Sequence, residues 1–200
     1  MMRRVQFSLK HGLDFLMALV LLLPVALFVS ILGLILYLDS PGPIFFRQLR
    51  PGRGGKLFGL YKLRTMTPGD HTAATPRNRD GSLALTSDLG GYTRFGRVLR
   101  RFSLDELPQL FNILKGEMSF IGPRPDLPEH LELYTEEERL KLAVKPGLTG
   151  LAQVMGRNEL PWKERLQLDI TYVRKYSLLL DLKIFLLTLS RLISGRGVYQ

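Results

Sequence analysis

The sequence contains no cysteine among its 200 residues and only 3 histidines. Without cysteine there is no disulfide scaffold, no thiolate nucleophile and no cysteine-based zinc or iron–sulfur site. The histidines are His11, His71 and His130, and their wide separation disfavours a histidine-rich metal cage or a Ser-His-Asp triad. Any catalysis must therefore depend on carboxylates, basic side chains and backbone dipoles.

Acidic residues are also scarce relative to basic ones. Lys and Arg total 28 against 18 Asp and Glu, which gives a formal net charge of +10. At 46% hydrophobic residues the chain is too apolar for a disordered polycation. The length predicts one folded domain with at most a small appendage, and the charge indicates a polyanionic partner.

The longest stretch without charge runs from Phe15 to Leu38. A straight helix of that length measures about 36 Å, enough to cross a hydrocarbon core of about 30 Å. Basic residues flank both ends, and a crossing helix would place one of these groups outside, against the positive-inside tendency. Pro24 can bend the helix so that both flanks stay on the cytoplasmic side. The residues favour a re-entrant helix, with a spanning helix as the alternative.

A second amphipathic segment lies near the other end of the chain. Residues 181–194 predict a helix whose ends, Asp181 and Arg191, suit the helix dipole. Its apolar face either packs on the domain core or lies on the bilayer surface, and the pattern leaves both open. That face comprises Leu182, Phe185, Leu186, Leu189 and Ile193.

Between these segments the sequence predicts a hairpin, a long loop and a basic helix. Two short strands are expected around the turn at Pro51–Gly55, and residues 67–92 predict a mobile loop because they are rich in Gly, Thr and Pro. The helix that follows places Phe95, Val98, Leu99 and Phe102 on one face. Its other face carries arginines without acidic partners, a pattern typical of phosphate binding. These arginines are Arg94, Arg97, Arg100 and Arg101.

Two adjacent carboxylates, Asp105 and Glu106, follow the arginines directly. The spacing favours a capping box, with Ser103 as N-cap and Glu106 reaching back to it. The alternative is a site for phosphate chemistry, in which one carboxylate attacks phosphorus and the other binds Mg²⁺.

Two later segments carry further candidate residues. The prolines of Gly122–Pro125 fix the backbone, so that Arg124 is presented with little entropy left to lose; an incidental surface turn is the alternative. Residues 166–176 predict a helix with Asp169 and Tyr172 on one face.

In this order and combination, these pieces resemble the monotopic phosphoglycosyl transferases, the bacterial sugar transferase family. The resemblance covers almost the whole chain, and several such stretches together are specific. The matching stretches are Phe46–Gln48, Pro51–Gly52, Leu60–Met66, Arg100–Leu110, Met118–Pro125, Pro146–Gly150 and Gly156–Asn158.

The resemblance implies an α+β, mostly helical fold at the cytoplasmic face of the bacterial inner membrane. Residues 1–40 would form a re-entrant helix–break–helix bent near Pro24. Residues 41–200 would form the catalytic domain, with amphipathic interfacial helices. Family members commonly have serine before this proline, whereas Leu23 stands here. Either Pro24 suffices, with help from Ser30 or water, or the bend is shallower.

The resemblance also implies a two-step reaction. Asp105 would attack the β-phosphate of a UDP-sugar, release UMP and carry the phosphosugar. Polyprenyl phosphate would then take the phosphosugar to give a polyprenyl-diphosphate-sugar. Glu106 would bind Mg²⁺. The substrate-binding residues would be Lys62, Arg64, Arg100, Arg124, Pro125, Arg157 and Asp169.

The region of Gly156–Asn158 and Trp162 is similar to that of members that use N-acetylated amino sugars. Two other functional classes are a membrane-anchored polycation that binds nucleic acid and a structural membrane protein whose carboxylates only cap a helix. The arginines lack the interleaved aromatic surfaces of single-strand binders, so nucleic acid is not an expected partner.

Overall fold

The computed structural model describes residues 2–67, 91–156 and 160–194. Most of the predicted loop at 67–92 lies outside the described residues, as do Arg157 and Asn158. The ends of the loop are described and meet, because the Thr67 amide donates to the Gly91 carbonyl at 2.6 Å. Next to this contact, Met66 and Tyr92 form an antiparallel bridge.

The described residues are mostly helical, with two small sheets. The α-helices are α1 (Met2–Asp39), α2 (Arg94–Arg101), α3 (Leu110–Leu114), α4 (Leu151–Met155), α5 (Trp162–Arg174) and α6 (Leu178–Ser194). The strands are β1 (Phe45–Pro51), β2 (Leu57–Leu63), β3 (Ser119–Ile121) and β4 (Gly147–Thr149). Short 3₁₀ segments occupy Arg53–Gly55, Leu104–Gln109, Pro128–Leu133 and Glu138–Ala143.

Helix α1 continues through Pro24, so the predicted break is not an interruption of the helix. A proline removes one hydrogen bond, here the one to the Val20 carbonyl, and the neighbouring turns keep theirs. The Ser30 hydroxyl donates to Ala26 at 2.9 Å and therefore does not satisfy the carbonyl that Pro24 leaves open. The segment Val5–Asp39 is long and apolar enough to cross a membrane.

Both ends of α1 are bonded to the rest of the domain. Near its start, Lys10 Nζ lies 2.6 Å from a carboxylate oxygen of Asp181 on α6. At its end, the Asp39 carboxylate accepts from the Phe95 amide of α2 at 2.9 Å. Between them, one side of α1 is buried against the domain, and the other side is exposed and apolar. Leu23, next to Pro24, is 80% exposed.

Strands β1 and β2 form the predicted antiparallel hairpin, with Phe45 opposite Leu63 and Pro51 opposite Leu57. The turn needs glycine because Gly54 and Gly55 have φ of 69° and 79°, a left-handed conformation that disfavours a Cβ. The buried Asn112 side chain of α3 fixes β2 by accepting from the Tyr61 amide at 3.1 Å and donating to the Gly59 carbonyl at 2.8 Å. This hairpin determines where Lys62 lies.

Strands β3 and β4 are parallel, with Ser119 paired to Gly147 and Ile121 to Thr149. The chain approaches itself closely after β3, where a Cβ added at Gly147 would lie 2.1 Å from the Gly122 nitrogen. Asp14 of α1 reaches the same strand, since its carboxylate accepts from the Ser119 hydroxyl at 2.7 Å. Together these contacts fix the start of the segment that carries Arg124.

Helix α6 begins at Leu178, earlier than the predicted residue 181, because the Ser177 hydroxyl accepts from the Leu180 amide at 3.1 Å and caps the helix. The face that packs on the domain contains Asp181 and the fully buried Ile184. The described part of the predicted apolar stripe is exposed, and it comprises Leu182, Phe185, Leu186 and Leu189. The stripe therefore does not form the domain core.

Candidate active site

The two adjacent carboxylates lie on the 3₁₀ segment that follows α2. Ser103 precedes them at φ 56°, the one residue other than glycine with positive φ in the described chain. Its side chain makes no capping hydrogen bond to the segment, so the capping-box interpretation is wrong. Strained backbone of this kind concentrates at functional sites.

Glu106 is held by two cations from different parts of the chain. Its Oε1 lies 2.9 Å from Lys62 Nζ of β2 and 2.7 Å from Arg124 Nη2. Burial acts to raise the pKa of Glu106, but Arg124 and Lys62 outweigh it and hold that pKa well below its usual range. Glu106 is therefore ionised and links the hairpin to the Arg124 segment.

Asp105 is 4% exposed and has a different environment. Lys62 Nζ lies 3.9 Å from its Oδ2, beyond hydrogen-bond distance. Burial raises the pKa of Asp105; Lys62 and Arg100 oppose this rise, and Glu106 adds to it. The structure thus gives the two neighbouring carboxylates opposite pKa shifts, an arrangement that separates their chemical roles.

The sequence did not single out Arg50, which braces the segment that carries Arg124. Its guanidinium donates to the Pro125 carbonyl at 3.3 Å and to Gln48 Oε1 at 2.7 Å. Burial and the nearby Arg124 lower the pKa of Arg50 to about 10. Pro125 thus takes part through its backbone, as the acceptor that orients the segment.

Arg100 and Arg64, two further predicted substrate-binding residues, lie in different environments. Arg100 is close enough to Asp105 to lower its pKa, and its guanidinium lies 5.4 Å from the centre of the Tyr92 ring. Arg64 is buried, and it donates to the carbonyls of Ser40 and Pro41 after α1. Arg64 thus joins the end of β2 to the end of α1, and in the described chain it forms no salt bridge with Asp105 or Glu106. The predicted Arg157 lies outside the described residues.

Asp169 belongs to a second buried ionic group beside the first. Lys141 Nζ lies 2.9 Å from Asp169 Oδ2 and 2.6 Å from Asp126 Oδ2, and the Tyr134 hydroxyl donates to Asp126 at 2.5 Å. Burial raises the pKa of Asp169 to about 6, whereas Lys141 outweighs burial at Asp126 and lowers its pKa to about 2. The one sequence signal for Asp126 as a site residue was its position directly after Pro125. No sequence signal pointed to Lys141.

A cavity of about 510 Å³ connects these groups, a size that suits a small-molecule ligand. Its lining combines charged residues, most of them from the two ionic groups, with apolar residues that include members of α6 and the carboxylate segment. The charged lining residues are Glu106, Arg124, Asp126, Lys141, Arg165 and Asp169; the apolar ones include Phe102, Leu104, Leu107, Phe185 and Leu189. The cavity therefore suits a ligand with both phosphate and hydrocarbon parts.

The donor set for a metal is small. Among the described residues, no three His, Asp or Glu side chains cluster as a metal site. Mg²⁺ needs only one or two carboxylates when phosphate oxygens and waters complete its shell. Glu106 fits such a role if Lys62 or Arg124 releases it, because its oxygens are occupied by these two cations here.

A family model described as bacterial sugar transferase matches residues 5–195. The chain belongs to the bacterial sugar transferase family. The resemblance drawn from the sequence motifs is thereby confirmed.

Three curated relatives illustrate the family. The chain is 42% identical over 192 residues to a Bacillus subtilis protein named uncharacterized sugar transferase EpsL, covering 96% of this chain and 91% of the relative. It is 43% identical over 173 residues to UDP-glucose:undecaprenyl-phosphate glucose-1-phosphate transferase of Xanthomonas campestris, covering 81% of this chain and 34% of that enzyme. It is 38% identical over 169 residues to undecaprenyl-phosphate galactose phosphotransferase of Salmonella typhimurium, covering 79% and 35%. The chain thus spans about a third of the latter two.

The raised pKa of Asp169 predicts a pH dependence of folding stability. Because its folded pKa of about 6 exceeds the ordinary value of 3.8, the stability that the protonated form supports is lost as pH rises from about 4 to 6. Asp169→Asn should reduce this pH-dependent loss by on the order of 2 kcal/mol. Urea unfolding at pH 4 and pH 7 measures it. The control is Glu136→Gln, which changes an exposed carboxylate, and an unchanged pH dependence in Asp169→Asn contradicts the assignment.

Proposed function

We propose that this chain transfers a hexose phosphate from a UDP-sugar to polyprenyl phosphate, with release of UMP. The observation that carries the proposal is the pair of adjacent carboxylates, in which the half-buried Glu106 is ion-paired to Lys62 and Arg124 while the buried Asp105 is left without such a close partner. The names of the relatives from Xanthomonas and Salmonella support it, since they state undecaprenyl-phosphate and glucose or galactose.

In the proposed first step, a carboxylate oxygen of Asp105 attacks the β-phosphorus of the UDP-sugar. The bond from that phosphorus to the bridging oxygen breaks, UMP leaves, and the phosphosugar remains on Asp105. In the second step, a phosphate oxygen of the lipid attacks the same phosphorus and frees Asp105. Lys62 and Arg124 are placed to stabilise the phosphate oxygens, because both lie around the carboxylate pair.

A reaction in two steps suits a donor that is soluble and an acceptor that is a lipid. A covalent intermediate lets each substrate use the site in turn, so that the two never need to be bound together. The burial of Asp105 limits the access of water, which would otherwise hydrolyse the intermediate.

We propose that α1 is re-entrant and that the catalytic domain lies on the cytoplasmic face of the inner membrane. Lys10 and Asp39, on either side of the apolar run, both contact the same domain. A helix that crossed the bilayer would carry one of these ends to the opposite side. The exposed Leu23 would then lie deep in the membrane, and the exposed stripe of α6 would lie on its surface.

The sugar in this proposal is a hexose of the glucose or galactose type. The names of the Xanthomonas and Salmonella relatives contain glucose and galactose, and none of the three names contains an N-acetylated amino sugar. The expectation of such a sugar, which came from Gly156–Asn158 and Trp162, gains no support from them.

The nucleophile is tested with Asp105→Asn. Because the amide cannot form the phosphosugar, UMP release from UDP-glucose or UDP-galactose should fall by about a thousandfold or more. Mass spectrometry of the unchanged enzyme, with donor and without lipid, should show a mass increase of one hexose phosphate that Asp105→Asn lacks. Asp39→Asn, the same change at the end of α1, should keep both signals. Normal UMP release by Asp105→Asn would contradict the proposal.

The topology of α1 can be tested by cysteine labelling because the natural chain has no cysteine. Ser8→Cys and Pro43→Cys place single thiols at exposed positions on either side of the apolar run. A membrane-impermeant maleimide should label both in inside-out vesicles and neither in intact spheroplasts. Labelling of the two thiols from opposite sides would show a spanning helix.

We further propose that Mg²⁺ supports the reaction by neutralising phosphate oxygens, with Glu106 as its protein carboxylate. Glu106→Gln should then raise the Mg²⁺ concentration for half-maximal UMP release by about tenfold or more. The control is Glu132→Gln, an exposed carboxylate. If the Mg²⁺ dependence of both variants matches that of the unchanged enzyme, Glu106 is not the Mg²⁺ ligand. Its role is then limited to its ion pairs with Lys62 and Arg124.

A further inference from the structure

Three buried residues of the cavity wall hold polar atoms without hydrogen-bond partners in the described chain. They are Gln153, Trp162 and Asp169, which are 7%, 4% and 2% exposed. We propose that these three side chains form a wall that binds the hydroxyl groups of the donor sugar. This inference rests on the proposed function and names the part of the cavity that recognises the hexose.

The unpartnered atoms are the first support. Both polar atoms of the Gln153 carboxamide lack a partner, as do Trp162 Nε1 and Asp169 Oδ1. Buried polar groups in native proteins are nearly always bonded, so several such groups on one cavity indicate a missing partner. The terminal torsion of glutamine is soft, so a small rotation brings either carboxamide atom to a ligand.

The chemistry of the set favours a sugar over the other parts of the substrates. Gln153 offers one donor group and one acceptor, Trp162 offers a donor, and Asp169 offers an acceptor. A sugar hydroxyl both donates and accepts, so it matches such a mixture. A phosphate only accepts, so it leaves the acceptor atoms Gln153 Oε1 and Asp169 Oδ1 without a partner, and a polyprenyl chain forms no hydrogen bonds.

The wall is held in place from behind. Lys141 lies 2.9 Å from Asp169 Oδ2 and 2.6 Å from Asp126, which fixes one oxygen of Asp169 and leaves Oδ1 unpaired. A Cβ added at Gly150 would lie 2.8 Å from Gln153 Oε1, so the backbone passes close beside the carboxamide. Such packing limits the wall to small rotations.

The wall also lies at a suitable place relative to the reacting groups. Glu106 and Arg124, which would meet the diphosphate, line the same cavity as the three wall residues. A hexose joined to the β-phosphate would therefore lie in the cavity that the wall lines. The wall therefore contacts the part of the donor that differs between UDP-sugars.

The test is equilibrium binding to the full chain in lipid nanodiscs, in an Asp105→Asn background that cannot turn over donor. The probes are UDP-glucose, UDP-galactose and UMP, measured by calorimetry. Gln153→Leu keeps the size of the side chain and removes both polar atoms. We expect Gln153→Leu to raise the Kd of both UDP-hexoses by about tenfold and to leave the Kd of UMP unchanged. Gln167→Leu makes the same change on the exposed surface of α5 and should alter none of the three.

Two results would overturn the proposed sugar-binding role of the wall while leaving the proposed function intact. One is UDP-hexose binding that Gln153→Leu does not change; the other is an equal loss for UMP, which would assign these residues to the uridine. If no UDP-hexose binds to the background variant and the unchanged enzyme releases no UMP, the proposed function and the wall both fail.

A second measurement covers the case in which Gln153→Leu does not fold. UDP-glucose analogues that each lack one sugar hydroxyl are then bound to the otherwise unchanged Asp105→Asn protein. At least one analogue should bind about tenfold more weakly than UDP-glucose, because a wall group loses its partner. Equal binding of all analogues overturns the proposal.

Discussion

The part-buried ionic contact of Glu106 with Lys62 and Arg124 is the interaction on which the rest of the site depends. It joins three separate parts of the chain: the β1–β2 hairpin, the 3₁₀ segment after α2 and the segment after β3. Each cation comes from a different part of the chain, so loss of either one would detach that part from Glu106. The contact therefore holds these parts in register and determines where Asp105 lies.

The same contact suggests how the site would accommodate the highly charged donor of the proposed reaction. Glu106 neutralises cations that would otherwise repel one another in a buried place. In the proposed reaction, Lys62 and Arg124 would bind phosphate oxygens of the donor in place of this carboxylate. Asp105, which lacks their close contact, would be the carboxylate that attacks phosphorus.

Much of this arrangement could be predicted from the sequence, because local patterns and motifs specify it. The hairpin followed from its glycine turn, the helix of Asp169 followed from its periodicity, and the carboxylate pair followed from its adjacency to the arginines. What could not be predicted depends on contacts between distant residues. The interaction of Arg64 with the end of α1 and the pairing of Lys141 with Asp126 and Asp169 have no local signature. The capping-box prediction failed because the Glu106 carboxylate pairs with Lys62 and Arg124, which are distant in sequence, and the Ser103 side chain makes no capping hydrogen bond.

The proposed phosphosugar on Asp105 is tested most directly by isotope exchange. Labelled UMP is incubated with the enzyme and UDP-glucose or UDP-galactose in the absence of polyprenyl phosphate. If the intermediate forms, UMP reacts with it in reverse, and label enters the UDP-sugar in the unchanged enzyme and not in Asp105→Asn. Exchange that requires polyprenyl phosphate, or that persists in Asp105→Asn, would contradict the account.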